Sequence, residues 1–549
     1  MTASANATLE ADYVIVGAGT AGCVLANRLS ANGDDVTVLE AGGEDRNPWI
    51  HVPAGVARIF ANPALNWRYV TEPEPQLDGR TLYWPRGKVI GGTSSINGMT
   101  YVRGQPEDYD GWAQLAGEGW SFAQLLPYFR RIETHPLGPS HWHGDRGPVH
   151  IGSVAYRHPV SEAFHAAMVA TGIAANPDWN GARQEGVAFN QVMMRDAQRV
   201  SAATAYLQPV RHRRNLRVVT RARALRILFA QGRATGVEML RGGTSAFVRA
   251  RKEVIVCAGT VASPQLLMLS GVGPAAVLAA HAIPVVADLP AVGANLQEHV
   301  RTQLVARVRI PTFNQESRGL ALVAHVLRYL VRREGLLTAT ASQVNAFVRV
   351  SPEAARPDMQ IVFRPASGDY RGRRFVAHRF PGVMAMAGLL RPESRGSITL
   401  RTRDPLDAPR IVTGHLTAHA DIELLVRGLR FVRTVFAAAP LAAMVEAEIQ
   451  PGAEVRDEEA LSDYVRATAN SLFHAVGTCA MGLDGDAVTT PALEVRHVRG
   501  LRVVDASVMP VVPSGNTCAA VLMLAERAAD LIAGARSDQA RASEASAAS

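Results

Sequence analysis

Lysine is almost absent from this chain of 549 residues, since only Lys88 and Lys252 occur among its 57 basic residues. The formal net charge of +8 is therefore carried by arginine. A bias this general is more typical of genome composition than of a nucleic-acid-binding surface. The densest basic run, residues 211–226, is interrupted by a predicted strand and is interpreted as a solvated face. We therefore expect no nucleic-acid partner.

Several other features are scarce or missing. The four cysteines (Cys23, Cys257, Cys479 and Cys518) are far apart and form no C-x-x-C motif, which favours a reducing compartment over a disulfide framework. No run of about 18 apolar residues could span a bilayer, and the N-terminus lacks a signal-peptide pattern. The missing G-x-S-x-G motif leaves a serine hydrolase unsupported. We expect a cytoplasmic protein, with peripheral attachment to the inner membrane as an open alternative.

Near its start the chain contains a pattern typical of dinucleotide binding. A buried strand over residues 13–16 leads into Gly17, Gly19 and Gly22, which form G-x-G-x-x-G, and then into a helix. The glycines allow a tight turn, close approach to a pyrophosphate and close packing of helix on strand. Glu40 ends the next strand, where it can accept from ribose hydroxyls and would repel the 2′-phosphate of NADP. The motif alone leaves FAD and NAD as alternatives.

The length and the order of elements predict two lobes, because one hydrophobic core seldom grows to this size. The strands predicted near residues 216, 253 and 501 are similar in pattern to those of the first βαβ unit. Residues 300–450, in contrast, are predicted to form strands of alternating polarity with one amphipathic helix. We predict an α/β fold with a nucleotide lobe built from both chain ends and a second lobe inserted between them. The predicted division is 11–160, 200–305 and 468–535 for the nucleotide lobe, 161–199 and 306–467 for the substrate lobe, and 1–10 and 536–549 for flexible tails.

Four further motifs follow in order along the chain, in residues 87–101, 259–273, 473–482 and 503–519. With the first glycine motif they resemble the glucose-methanol-choline (GMC) family of FAD-dependent oxidoreductases, from about residue 11 to 533. The resemblance favours FAD over NAD. It also implies a Rossmann-like FAD-binding lobe and an α+β substrate lobe with a large antiparallel sheet.

The resemblance also assigns residues to the cofactor. Gly91 and Gly92 let the backbone approach a flat ring, and the histidine that holds the flavin covalently in some members is replaced here by Ile96. We therefore expect noncovalent FAD. The expected cofactor-binding residues are Gly17, Gly19, Thr20, Ala21, Gly22 and Glu40 at the ADP portion, Val89, Gly92 and Asn97 near the isoalloxazine, Val219 near the adenine, and Asp505 and Ala506 near the ribityl-pyrophosphate.

The expected catalytic residues are His474 and Asn516, which match the family's catalytic histidine and its partner position. Alcohol oxidation requires the hydroxyl proton to leave as the hydride departs, and a neutral imidazole can accept it near neutral pH. Asn516 can donate to the same oxygen and fix its angle. Two positions depart from the family pattern: Ala475 replaces a proline, and Cys518-Ala519-Ala520 replaces Asn-Ala-Pro. We expect both departures to loosen the loops that position this pair.

We predict oxidation of a primary alcohol (aliphatic, aryl or polyol) to the aldehyde, with O₂ or a quinone as electron acceptor. A quaternary ammonium needs a carboxylate or an aromatic cage. The expected substrate-facing stretch, residues 336–350, contains no acid and one aromatic residue, so a small neutral alcohol is favoured over choline.

Alternative functions are a choline dehydrogenase, an NAD-binding scaffold, or a non-oxidising flavoprotein of the same fold, such as a hydroxynitrile lyase or a fatty-acid photodecarboxylase. The decarboxylase relies on a cysteine in the substrate lobe, and none occurs between Cys257 and Cys479. His141, His143 and Asp145, with His135 nearby, lie in a loop without a fourth ligand at tetrahedral spacing, so we expect no metal site.

Overall fold

The fold is described from a computed structural model, which describes residues 9–547 and the side chains of residues 9–370 and 372–535. Strands and helices are numbered along the chain. The strands are β1 (Leu9–Val16), β2 (Val36–Glu40), β3 (Tyr69–Val70), β4 (Tyr83–Trp84), β5 (Glu133–Thr134), β6 (Val149–Ser153), β7 (Gly186–Phe189), β8 (Gln191–Arg195), β9 (Gln198–Arg199), β10 (Leu216–Thr220), β11 (Ala222–Ala230), β12 (Arg233–Arg241), β13 (Thr244–Val256), β14 (Val272–Gly273), β15 (Ala287–Asp288), β16 (Val300–Val308), β17 (Val344–Val348), β18 (Met359–Arg364), β19 (Gly368–Arg371), β20 (Arg374–Ala377), β21 (Gly382–Leu389), β22 (Ser397–Thr399), β23 (Arg410–Val412), β24 (Val445–Gln450), β25 (Asn470–Ser471) and β26 (Leu501–Val503). The helices are α1 (Thr20–Ala31), α2 (Pro48–His51), α3 (Val56–Ile59), α4 (Pro106–Ala116), α5 (Phe122–Ile132), α6 (Pro159–Ala170), α7 (Gly259–Leu269), α8 (Ala275–Ala280), α9 (Phe313–Glu316), α10 (Gly319–Arg332), α11 (His419–Phe436), α12 (Leu441–Met444), α13 (Glu458–Thr468) and α14 (Cys518–Ala547).

The first lobe is built on a sheet with β1 at its centre. β10, β2, β1 and β13 are parallel neighbours in that order. The long β13 pairs along its first half with β12, which is antiparallel, and along its second half with β26, which is parallel. The strands come from residues 9–40, 216–256 and 501–503, so both chain ends build this lobe, as the sequence predicts.

The opening glycine motif forms the turn between β1 and α1. Gly17 has a φ of +106°, a region that L side chains rarely adopt. A Cβ at Gly22 would lie 1.9 Å from the carbonyl oxygen of Gly17, so only glycine lets the helix cross this close to the strand. The sharp turn and the close helix packing predicted for two of the three glycines are therefore present.

The second lobe is built on an antiparallel sheet in the order β24-β16-β21-β18-β17-β7. Alternate residues of β18 face opposite sides, as the period of a strand requires. Met359, Ile361 and Phe363 are buried with α6 and α11 in the core of this lobe. The intervening Gln360, Val362 and Arg364 line a cavity between the two lobes. The predicted α/β architecture with an inserted antiparallel lobe is confirmed.

Two predicted lobe boundaries need correction. The boundary at 305–306 falls inside β16, whose residues pair with β21 in the second lobe. The segment 468–535 begins with β25, which also pairs with β16. Periodicity identifies these strands but does not show which sheet they join, because that choice depends on long-range pairing.

The two predicted tails are also partly wrong. Leu9 and Glu10 pair with Val248 and Arg249 as the first residues of β1. At the other end α14 runs on to Ala547, past the predicted start of the tail at residue 536. The alanine content of this segment favours helix more than its polar composition suggests. Residues 1–8 and 548–549 lie outside the described residues.

Candidate active site

A cavity of about 1140 Å³ lies between the two lobes, and most of the predicted site residues line it. Gly22, Val89 and Val219 do not line it. Gly22 packs against Gly17, Val89 belongs to a buried apolar cluster, and Val219 pairs with Leu39 in the first sheet. The predicted residues that line the cavity are Gly17, Gly19, Thr20, Ala21, Glu40, Gly92, Asn97, His474, Asp505, Ala506 and Asn516.

The N-terminus of α1 forms one wall of the cavity. The helix begins after Gly19, with no side-chain cap and no acidic residue in its first turn. Its first N–H groups and the positive end of its dipole therefore remain available to an anionic group. A Cβ at Gly92 would lie 2.7 Å from Cα of Gly19, so the two glycine loops are in contact. This arrangement fits the pyrophosphate of a dinucleotide.

Glu40 lines the same wall and also holds the glycine loop. Its two carboxylate oxygens accept from the backbone N–H groups of Ala18 (2.9 Å) and Gly42 (2.7 Å). Burial raises the pKa of Glu40 to about 7. Each oxygen keeps a second lone pair, which is the acceptor that a ribose hydroxyl requires.

Arg199, which the sequence analysis did not single out, holds the second glycine loop. Its side chain is buried and donates to the carbonyl oxygens of Ile50 (2.8 Å) and Ser94 (3.2 Å) and to Oδ1 of Asn97 (2.8 Å). Burial lowers the pKa of Arg199 to about 9. Because the oxygen of Asn97 is occupied by protein donors, its amide group is oriented to donate.

Asp505 connects its own motif, residues 503–519, to the motif of residues 259–273. Its Oδ2 accepts from the backbone N–H of Gly259 (2.8 Å) and from the hydroxyl of Ser263 (2.6 Å), and its Oδ1 accepts from the backbone N–H of Ser507 (2.8 Å). The carboxylate therefore ties the start of α7 to the turn after β26. This position places Ala506 on the cavity wall.

The two predicted catalytic residues lie side by side although 42 positions separate them in sequence. Nδ2 of Asn516 is 2.9 Å from Nε2 of His474, and both residues line the cavity. Gln360, from β18 of the second lobe, donates to Oδ1 of Asn516 at 3.2 Å. Phe473, directly before His474, has a φ of +69°, which a bulky side chain rarely adopts and which marks a constrained turn.

A second histidine, His299, determines which nitrogen of His474 carries its proton. Nε2 of His299 lies 3.1 Å from the carbonyl oxygen of Leu390, which can only accept, so this nitrogen is protonated. Nδ1 of His299 is then an acceptor, and it lies 2.9 Å from Nδ1 of His474. His474 therefore donates from Nδ1 and keeps a lone pair on Nε2, which accepts from Asn516.

Burial keeps both imidazoles neutral. It lowers the pKa of His299 to about 4. Burial also places the pKa of His474 well below its usual value, and the neighbouring His299 and Arg86 lower it further. A neutral His474 with its lone pair beside Asn516 can accept a proton from a hydroxyl group bound in the cavity.

Glu298 holds the backbone of His474. Its Oε1 accepts from the backbone N–H of His474 at 2.5 Å, and Arg86 lies 3.7 Å from Oε2. Burial raises the pKa of Glu298 to about 7. Glu298 and His299 directly precede β16, and two ionisable residues at the start of a buried strand were the available signal for their role.

The two departures from the family pattern are held in place by other residues. The carbonyl oxygen of Ala475 accepts from the hydroxyl of Thr260 at 2.7 Å, which fixes the backbone without a proline. Cys518 begins α14. Burial raises the pKa of its thiol to about 12, and the neighbouring Thr20 and Asn97 act in the opposite direction. All four cysteines are free thiols.

The substrate end of the cavity is aromatic and basic. Its aromatic residues come from four segments that the sequence analysis did not connect, whereas Phe347, the one aromatic residue of the expected stretch, packs against Trp179 in the core. The only acidic lining residues, among those described, are Glu40 and Asp505, and both are bonded within the first lobe. The aromatic and basic lining residues of this end are Phe60, Phe313, Tyr370, Phe375, Phe473, Arg58, Arg364, Arg373 and Arg374.

The histidine-rich loop forms an ion-pair network away from this cavity. His143 lies between Glu133 (2.8 Å from Nδ1) and Asp178 (2.9 Å from Nε2), and Arg103 pairs with Glu133 at 2.6 Å. Although burial opposes it, hydrogen bonding to Asp178 and Glu133 raises the pKa of His143. His135, His143 and Asp178 are close enough to share an ion, but both nitrogens of His143 already donate to carboxylates.

Comparison with known proteins supplies relatives over most of the chain. Two family models, both described as GMC oxidoreductase, match residues 11–301 and 392–525. The chain is 41% identical to an alcohol dehydrogenase [acceptor] from Pseudomonas putida, over 95% of each chain. It is 40% identical to an oxygen-dependent choline dehydrogenase from Rhizobium etli, over 97% of this chain and 98% of that one. A formate oxidase from Aspergillus oryzae, solved in a study of FAD modification, superposes with a TM-score of 0.90 at 25% identity, over 97% of this chain and 100% of the other.

Proposed function

The chain belongs to the GMC oxidoreductase family, FAD-dependent enzymes that act on CH–OH donors, and from this premise we propose that it oxidises a primary alcohol to the aldehyde. The proposed substrate is a neutral aliphatic, aryl or polyol alcohol. The proposed base is His474, and the proposed electron acceptor is O₂ or a quinone. The observation that carries the proposal is the lone pair of His474 Nε2, which lies beside the amide of Asn516 in the cavity.

The residues around the cavity fit FAD. The open N-terminus of α1, the contact between the loops of Gly19 and Gly92, and the acceptor oxygens of Glu40 suit a dinucleotide. We propose that the FAD is held noncovalently, because Ile96 occupies the position where a histidine would form the bond, and Ile96 is buried. When bound, FAD supplies the acceptor for the hydride at N5 of its ring.

The proton is handled by residues of this chain. In the structure the lone pair of His474 Nε2 accepts from Asn516, so the alcohol oxygen must displace this hydrogen bond. It then donates its proton to Nε2 of His474 and accepts from the amide of Asn516. Gln360 orients that amide, and His299 keeps the other nitrogen of His474 protonated. The fixed angle at oxygen directs the α-hydrogen of the alcohol toward the cofactor side of the cavity.

The charge of the cavity supports a neutral alcohol over choline. Arg364, Arg373 and Arg374 line the cavity, and their positive charges would repel a trimethylammonium group. Aromatic residues are present and could contact a cation. The arginines on the same wall oppose that contact, so the cavity favours an uncharged substrate.

Anaerobic stopped-flow mixing of the FAD-loaded protein with alkan-1-ols, benzyl alcohol, glycerol and choline tests the proposal. We expect the flavin absorbance to bleach with the neutral primary alcohols and the aldehyde to accumulate. Reoxidation with O₂ or a soluble quinone then identifies the acceptor. His419→Ala, an exposed histidine on α11, is the matched control and should bleach as fast as the unmodified protein. A yellow protein that no alcohol bleaches would indicate a non-oxidising flavoprotein instead.

A further inference from the structure

Helix α10 carries an apolar face that no described part of the chain covers. Leu320, Val323, Leu327, Leu330 and Val331 are between 53% and 88% exposed. Their spacing places them on one side of the helix, and the opposite side packs on the protein through Tyr329. Isolated exposed apolar residues are ordinary, but five on one face of a 14-residue helix mark an interaction surface.

The charge within residues 318–333 is basic, and Glu316 and Glu334 lie just outside this range. Residues 318–333 contain no Asp or Glu. None of the four arginines in that stretch forms a salt bridge with a described acidic residue, and Arg328, Arg332 and Arg333 are exposed. An amphipathic helix with exposed leucines and with arginines that form no salt bridge has the composition of an interfacial membrane helix.

The helix is too short to cross a bilayer. At 1.5 Å per residue its 14 residues span about 21 Å, less than the roughly 30 Å hydrocarbon core. Within residues 9–547, no helix combines the length and apolar composition needed for a span. Contact with a membrane through this face would therefore be lateral, with the helix lying in the plane of the headgroups.

The face lies next to the substrate end of the cavity. Phe313 and Ser317, in the segment that leads into α10, and Leu336, in the segment that follows it, line the cavity. Arg318 donates to the carbonyl oxygens of Ala377 and His378 and so ties the helix to the β19–β20 hairpin, which also lines the cavity. A surface that contacts α10 would therefore lie beside segments that line the cavity.

We propose that the exposed face of α10, with its flanking arginines, docks on an anionic lipid surface. A second copy of the chain is a poorer occupant, because a symmetric contact through this face would bring the same arginines against one another. Its consequence for function rests on the proposed alcohol oxidation: apolar alcohols concentrated in the bilayer would enter the cavity from the lipid side.

Co-sedimentation of the FAD-loaded protein with vesicles tests the proposal without any substrate. We expect binding to vesicles of phosphatidylcholine mixed with phosphatidylglycerol, weaker binding to phosphatidylcholine alone, and loss of binding at high salt. Leu320→Glu combined with Leu327→Glu should lower binding at least tenfold. Leu137→Glu combined with Leu483→Glu, which alters exposed leucines elsewhere, should bind as the unmodified protein does.

Three results would overturn the proposal. The first is that the unmodified protein does not bind anionic vesicles. The second is that it binds neutral and anionic vesicles equally. The third is that the unmodified protein is a dimer that binds no vesicles and that the Leu320→Glu, Leu327→Glu variant is a monomer. Flavin reduction by a water-soluble alcohol should be equal in all variants. Vesicle binding therefore tests the docking surface, and flavin reduction tests the proposed alcohol oxidation separately.

Discussion

Nδ1 of His299 lies 2.9 Å from Nδ1 of His474, and this hydrogen bond leaves the lone pair of His474 on the nitrogen that faces Asn516. The direction of the bond follows from the carbonyl oxygen of Leu390, which accepts from the other side of His299. The chain from Leu390 to Asn516 thus presents a proton acceptor rather than a donor to the cavity. This polarity is what alcohol oxidation requires of its base.

Removal of the proposed base should slow flavin reduction by an alcohol about 10²- to 10⁴-fold, the usual contribution of a positioned acid–base group. The variant His474→Ala, measured by anaerobic stopped-flow, tests this value. Asn516→Ala should slow the same step less, because it removes a donor and leaves the base. FAD retention should be unchanged in both variants, and bleaching of His474→Ala at the unmodified rate would exclude His474 as the base.

His299 is proposed as a positioning residue, and two substitutions separate its hydrogen bond from its bulk. His299→Asn keeps an oxygen that can accept from Nδ1 of His474, whereas His299→Leu keeps volume and loses the acceptor. We expect His299→Leu to lower kcat about tenfold or more, since a buried donor is left unpaired, and His299→Asn to recover most of that loss. Equal losses in both variants would show that His299 only fills space.

In the pH profile of kcat/KM, the acid limb that reports His474 should lie below the ordinary pKa of histidine. Burial, His299 and Arg86 all lower the pKa of His474, so the imidazole stays neutral as the pH falls below its ordinary value near 6.5. A neutral imidazole is the active form of a base, so protonation of His474 should not lower kcat/KM between about pH 8 and pH 6. An inflection near pH 7 would instead report Glu298 or Glu40, whose pKa values burial raises to about 7. In His299→Leu one of the lowering influences is lost, and the limb should move to higher pH. A limb at or above 6.5 that persists in both Glu298→Gln and Glu40→Gln would contradict the assigned environment of His474.

Features of the site that depend on neighbouring residues could be predicted from the sequence, whereas contacts between distant segments could not. Strand, glycine turn and helix are set by neighbouring residues, so the loop of Gly17 and Gly19 was within reach of pattern analysis. His299 acts on His474 across 175 positions, and Arg199 on Asn97 across 102. Such pairs depend on which strands share a sheet, and periodicity does not carry that information. The same limit explains why β16 was divided between two lobes.

A Cβ atom at Gly17 or Gly22 would clash with the backbone, whereas a Cβ atom at Gly19 would not. This difference gives a test of the cofactor site. A Cβ at Gly19 would come no closer than 3.8 Å to the nearest protein atom described, the carbonyl oxygen of Cys257, so Gly19→Val should fold. Its side chain would fill the space beside the open end of α1, and FAD should be lost. The measurements are the ratio of flavin to protein absorbance and the circular dichroism spectrum.

Gly22→Val is the contrasting variant, because a Cβ there would lie 1.9 Å from the carbonyl oxygen of Gly17. We expect this protein to lose its fold as well as its flavin, since α1 can no longer pack on β1. A Gly19→Val protein that purifies fully yellow would place the pyrophosphate elsewhere. A Gly19→Val protein that is folded and colourless, beside an unfolded Gly22→Val, would locate the cofactor at the N-terminus of α1.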